Sequence, residues 1–332
     1  MLITYYIQSM IESILTLNNS YMKKILFLII TALMLVGCNS RKIHNKIKIL
    51  VPNGIPLIAI GDLIDQDKVT IESVSGPDLL ISGMVSKSHD IIIAPLNVGA
   101  KLYLNNSSSY QLHSLITFGN TYLVSKKSTP LSSINDVKNE DIMAYGRNST
   151  PDILLKKALA SSGINANISY QGGVDQVIPF FVCNPDDPSD VSCDVVSYIL
   201  CAEPLITKLE LEYGLELNVL DLQAENEAIP QAAIFVNPEC DEEALTSVLA
   251  LIEANVQYLN ENPQSYAHKI ITKHLYFKNL GETIIAHCIP RSNINFMKAV
   301  DHKEICENFF MMLNEFNPDL LGGEIPNLEF YY

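Results

Sequence analysis

The chain lacks any apolar run long enough to cross a bilayer as a helix. The best candidate, Ile25 to Val36, is 12 residues with one Thr in it, against the roughly 20 that a membrane-spanning helix needs. Basic residues are scarce: 22 Lys and Arg face 37 Asp and Glu, for a formal net charge of −15, and only three of the 22 are arginines. That balance argues against nucleic acid or anionic lipid as a partner and favours solubility. Metal-ligand spacings are missing as well. With no CxxC, HxH or HExxH, no metal site is expected, and no cofactor. The seven histidines are scattered and read as surface or capping residues. No nucleophile stands beside a base at a readable spacing, so no catalytic residue is named and an enzyme is disfavoured. No internal repeat occurs, and no low-complexity tract exceeds Asn105 to Ser109.

What is present starts near the amino end. Lys23 and Lys24 precede the short apolar run, the pattern of a secretory signal peptide covering residues 1–37. The run ends in Leu35-Val36-Gly37-Cys38, which resembles the bacterial lipobox. That resemblance implies diacylation of the Cys38 thiol and cleavage just before it. Translation is expected to begin at Met22, with 38–46 as a lipidated tether. The product would be exported and held on the outer face of the cell membrane. Removing Lys23, Lys24 and Glu12 takes the net charge from −15 to −16. Six further cysteines remain, and export permits disulfides. Cys183 and Cys193 bracket an acidic segment (Asp186, Asp187, Asp190) with two prolines, and a disulfide is expected to close it.

After the tether, strands and helices alternate. Ile47 to Val51, Val69 to Val74 and Asp90 to Ala94 read as strands, the last a continuous apolar run of the kind buried on both faces. Pro56 to Ile64 reads as one helix. The stretch after Gly76-Pro77-Asp78 reads as another, with Leu79, Leu80, Met84 and Val85 on one face. The rhythm restarts after Tyr122-Leu123-Val124. Asp141 to Tyr145 is a strand, Ser149 starts a helix with its hydroxyl as cap, and Gly163 closes it. Further strands are Ile168 to Tyr170, Val195 to Leu200 and Leu217 to Leu222. Past Val236 the chain turns helical, with Leu245, Val248, Leu249, Ile252, Val256 and Leu259 at helical spacing. Leu275, Ile284, Ile285, Phe296, Phe309 and Leu313 suggest more helices. The rhythm predicts an α/β fold of two lobes with parallel sheets covered by helices.

In open α/β sheets ligands bind beyond the carboxyl ends of the strands. That rule selects Asn53 and Gly54, Asn97, Gly119, Asn120 and Thr121, Arg147, Asn148 and Ser149, Gln171, and Glu203. These loops are rich in residues that expose backbone N–H groups at helix starts, where anions are favoured. At the same loops the chain resembles the nitrate/sulfonate/taurine-type substrate-binding proteins of ABC transporters, relatives of the thiamine-pyrimidine-binding proteins. Val51-Pro52-Asn53-Gly54-Ile55-Pro56, Ser75-Gly76-Pro77-Asp78, Asp90-Ile91-Ile92-Ile93-Ala94-Pro95, Tyr145 to Pro151 and Ala202-Glu203-Pro204 carry the resemblance, which runs from about Ile47 to Leu215. It implies the type II periplasmic-binding-protein fold, with two crossover strands near Tyr122 to Val124 and Gln231 to Val236. One lobe would comprise 47–121 plus 232–332, the other 122–231, with a C-terminal helical tail.

The function implied is capture of a small solute between the lobes by a monomer, and its delivery to ABC permease subunits. A ligand-sensing or adhesive surface lipoprotein on the same fold is the alternative. A guanidinium at Arg147 suits a bidentate contact to carboxylate, sulfonate or phosphate; pairing with Asp152 or Glu140 is the competing role. Glu203 could meet a ligand amine or cap its own helix. The ligand stays open between a small organic anion and a pyrimidine-like heterocycle.

Overall fold

A computed structural model of the chain describes residues 46–182, 196–223 and 229–332. The segments expected to form a signal peptide and a tether, with Cys38, and the expected Cys183–Cys193 disulfide lie outside the described residues. Strand β1 (Ile47–Pro52) is apolar on both sides because both sides are covered: Ile49 and Val51 enter one core cluster and Leu50 another. Helix α1 (Ile55–Ala59) starts at Gly54, whose φ of 109° is open to glycine and hostile to other residues. The single helix expected over 56–64 is split here, with a 3-10 turn at Gly61–Leu63. Close packing is the reason, since a Cβ on Gly61 would stand 2.9 Å from the Phe277 ring.

Strand β2 (Val69–Val74) lies parallel to β1. Helix α2 (Pro77–Ser86) then buries Leu80, Gly83 and Met84. The expected face is corrected: Leu79 and Val85 are 55% and 52% exposed. Gly83 presses so close to the sheet that a Cβ there would lie 2.6 Å from Leu50, which turns the 80/83/84 face inward. Strand β3 (Ile91–Pro95), helix α3 (Leu96–Leu104) and strand β4 (Gln111–Phe118) follow.

The chain then leaves this sheet for a second one. Its elements are β5 (Tyr122–Lys126), β6 (Asp141–Tyr145), α4 (Thr150–Ser161), β7 (Asn167–Gln171), α5 (Ile178–Val182), β8 (Tyr198–Cys201), α6 (Leu205–Leu211) and β9 (Leu217–Asp221). Strand β10 (Pro230–Val236) returns the chain to the first sheet. Helices α7 (Glu242–Glu261), α8 (Pro263–Ile270), α9 (Leu275–Leu280) and α10 (Glu282–Cys288), strand β11 (Ile294–Lys298) and helix α11 (Lys303–Phe316) complete it. Among the described residues the first sheet runs β11-β4-β10-β3-β1-β2 and the second β7-β6-β8-β5-β9. Strand β10 is antiparallel to both neighbours, β3 and β4, and β5 is antiparallel to β8 and β9.

The stripe on α7 is buried throughout, from Leu245 to Leu259, and packs in one cluster with Ile47, Ile49 and Val51. Asp241 caps this helix, accepting from the Ala244 N–H at 3.0 Å. The tail departs from expectation at two points. Phe296 lies on β11, a short bulged strand, and Leu275 is 68% exposed.

The two crossings are bonded to each other. Gly119 N–H donates to Ile229 O at 2.8 Å, Leu222 N–H to Thr121 O at 3.2 Å, and Gln223 Nε2 to Thr121 O at 2.8 Å. Gly119 and Asn120 both take the left-handed region, with φ of 61° and 65°. At Gly119 a Cβ would fall 1.8 Å from Gln223 Oε1, so a larger residue there would have to displace the Gln223 side chain that bonds Thr121.

Candidate functional site

Strand ends gather the predicted residues into three groups. The first sits at the carboxyl ends of β1 and β3. Asn53 follows β1, donates through Nδ2 to Ser75 Oγ at 3.0 Å, and is half-buried. Gly54 follows it, and Asn97 lies half-buried in the first turn of α3. The second group stands at the ends of β6 and β7. Gly146 and Asn148 both adopt positive φ, 62° and 64°, and so fold the 146–149 loop back on itself. The Ser149 hydroxyl donates to Gly146 O instead of capping α4.

What ties this loop to α4 is Asp152. This carboxylate is fully buried and accepts from Asn148 N–H at 2.7 Å, Lys156 Nζ at 2.8 Å and Tyr170 Oη at 2.6 Å. Arg147 is therefore not paired with Asp152. Its guanidinium lies over the Tyr170 ring, 4.4 Å from the centroid, and the residue is exposed. Gln171 is held next to this loop by the register Tyr145↔Gln171, and Gly146 N–H donates to its carbonyl at 3.4 Å. Arg147, Asn148, Ser149 and Gln171 thus share one corner of the second lobe.

The third group is committed to structure. Asn120 forms a two-way bond with the Glu203 main chain: Glu203 N–H donates to Asn120 Oδ1 at 2.6 Å, and Asn120 Nδ2 donates to Glu203 O at 3.1 Å. The Glu203 carboxylate accepts from Thr207 N–H at 3.1 Å and pairs with Arg291 Nε at 2.9 Å. Burial raises its pKa, and the Arg291 charge and the Thr207 bonds pull it back. Glu203 is 4% exposed, Asn120 4% and Thr121 fully buried. Asn120 and Glu203 are thus both engaged inside the protein, and the Glu203 carboxylate meets the N–H of its own helix, the alternative to a ligand amine. Beside these crossings lies a cavity of about 630 Å³, lined by Phe118, Gly119, Gln223, Ile229 and Asn293 among others.

The sequence reading missed Tyr170, Arg291 and a trio on the first lobe. His274 Nδ1 accepts from Tyr276 N–H at 3.1 Å, which leaves the proton on Nε2, 3.2 Å from Ser73 Oγ. A neutral ring in this tautomer donates to Ser73 and cannot take its proton, so the pair is no activated nucleophile. Ser73 lies near the carboxyl end of β2, and Tyr276 lies within electrostatic reach of Asp175, past the end of β7. The Tyr276 pKa is pushed up by burial first, then by Cys288 and Asp175. Among the described residues no group of three or more His, Cys, Asp or Glu could hold a metal ion.

The order β2-β1-β3-β10-β4, with β10 reversed between two parallel strands and two crossings to a second sheet, defines the type II periplasmic-binding-protein fold. Solved structures agree. An ABC transporter protein from Parabacteroides distasonis is similar at 23% identity and a TM-score of 0.68, over 86% of this chain and 98% of that one. The alkanesulfonate-binding protein SsuA from Xanthomonas axonopodis pv. citri, bound to MOPS, is similar at 12% identity and a TM-score of 0.60, over 85% and 94%. A Candida albicans protein described as having the generic periplasmic binding protein fold is similar at 11% identity and a TM-score of 0.53, over 86% and 93%. At these identities the likeness establishes the fold. No protein-family model and no curated protein matches the chain.

Proposed function

We propose that the protein is an extracytoplasmic solute-binding lipoprotein of an ABC importer. It works as a monomer, closes two lobes on a small organic anion, and presents the closed form to the permease subunits. A solute shifts the balance toward closure only by its greater affinity for the closed form.

One observation carries the anion reading. In a chain of net charge −15, the Arg147 guanidinium stands exposed just past a strand end, 4.4 Å from the centre of the Tyr170 ring and with no carboxylate partner among the described residues. The cation–π contact with Tyr170 restricts the guanidinium, so less freedom is lost when it grips a sulfonate or carboxylate. The 12-residue helix α4 starts three residues later and adds its N–H groups. A pyrimidine-like solute would lean on ring stacking and the amides of Asn53 and Gln171 instead.

Calorimetric titration with short alkanesulfonates, carboxylates and aminopyrimidines, on wild type and Arg147→Ala, tests the reading. Losing one arm of a desolvated charge pair costs about 2–5 kcal/mol, so the anion that binds wild type should bind the variant more than tenfold more weakly. Equal affinities would retire Arg147 as a ligand group and favour the heterocycle.

A further inference from the structure

Arg291 reaches from the turn after α10, on the first lobe, into the second lobe beside the crossings. Its Nε lies 2.9 Å from Glu203 Oε1 and its Nη1 2.6 Å from Glu210 Oε2. Its carbonyl accepts from Tyr122 Oη at 3.0 Å, and Tyr122 is the first residue of β5, directly after the crossing. Of the ion pairs among the described residues, those of Arg291 alone join the two lobes. Glu203 is in turn bonded through its main chain to Asn120 within that crossing. The Arg291 side chain thus grips the residue just before α6 and the last turn of α6, while its main-chain carbonyl holds the root of β5.

We infer that Arg291 is a positioning residue, a clamp that holds α6 of the second lobe against α10 of the first and so sets the angle between the lobes in the solute-free protein. The charge count gives the direction. One guanidinium sits between two carboxylates, and the Glu203 side chain is fully buried while Glu210 and Arg291 are about one-third exposed, 32% and 38%. Screening by salt is weak at such a site. Without Arg291, Glu203 would be an uncompensated buried charge beside a like charge, the costly half of a buried pair. Swinging α6 away from α10 relieves both problems by letting water in. The clamp therefore opposes opening, and its position beside the crossings gives it leverage over the whole second lobe.

The inference rests on the two-lobed closure proposed above, but its test needs no solute. Small-angle scattering of the solute-free protein, with folding checked by circular dichroism, compares wild type, Arg291→Ala and Glu210→Gln. Both variants should show a larger radius of gyration, Arg291→Ala the more so, as the wider form gains on the order of tenfold in population. Glu210→Gln removes only the part-exposed arm, so it decides the matter should Arg291→Ala fail to fold. A folded variant whose scattering matches wild type overturns the clamp. Failure of every solute to bind would sink the importer reading and leave this measurement intact.

Discussion

Replacing Asp152 by Ala removes the anchor of the Arg147 loop at a single buried point. The side chain is fully buried and holds three donors: a backbone N–H, an ammonium and a phenol. Hydrogen bonds to a charged group contribute about 1.5–3 kcal/mol each, but the simple sum overstates the loss. Asn148 is exposed and the Lys156 side chain is 32% exposed, so two of the donors regain water in the variant. Tyr170 regains less, being part-buried. A net loss of about 3 kcal/mol is the expectation, at the low end of the range for breaking a buried pair from one side. Asp152→Asn should lose less, roughly 1–2 kcal/mol, because an amide oxygen still accepts from Tyr170 while the Lys156 pairing is gone. Equilibrium unfolding in urea, on the chain from Asn39 onward, measures both. A loss under about 1 kcal/mol for Asp152→Ala would refute the argument that this carboxylate organises the loop.

Two further outcomes are expected. His113, half-buried beside Phe296 and Tyr332, has its pKa lowered to about 4 by burial first and by Lys298 second. The unfolded chain therefore binds the extra proton from about pH 6.5 downward. Stability should fall as the pH drops through that window toward 4, and His113→Gln should remove roughly 2–3 kcal/mol of the drop in urea titrations at pH 7 and 4.5. The lipid anchor proposed at Cys38 predicts that a radiolabelled fatty acid is incorporated by wild type and not by Cys38→Ser, which should leave the membrane fraction or remain unprocessed. An unlabelled wild type would remove the anchor from the proposal.

Much of the fold could be read in advance because its strands are apolar in continuous or alternating runs. Ile91 to Ala94 is buried on both faces and reads as nothing else. Strand β11 escaped notice because it is five residues long, bulged against β4, and buries only one position, Ile294, at its start. Leu79 and Val85 were misassigned because a hydrophobic residue may sit on either edge of a stripe, and only the close approach of Gly83 to Leu50 decides which edge turns inward. At the site, loops could be chosen from topology, but the use of each polar side chain could not. Glu203 looks like any carboxylate before a helix until Arg291, 88 positions later, is placed against it. Tyr170 gave no signal because a stacking partner is defined by the face it offers, which pattern alone does not encode.

The place of β10 has a consequence for the order in which the chain can assemble. That strand fills the slot between β3 and β4, yet it follows β4 only after the five strands of the second sheet. While the chain emerges in order, the second sheet can complete itself, but the first cannot close: β3 and β4 must wait with an open seam between them. Contacts this distant in sequence form slowly, because the intervening loop must be closed first. Apolar strand edges left waiting are open to mispairing with other chains. A folding intermediate with a finished second lobe and a split first lobe is therefore the natural point for a chaperone to act, and the crossings at Gly119–Thr121 are where its two halves would join.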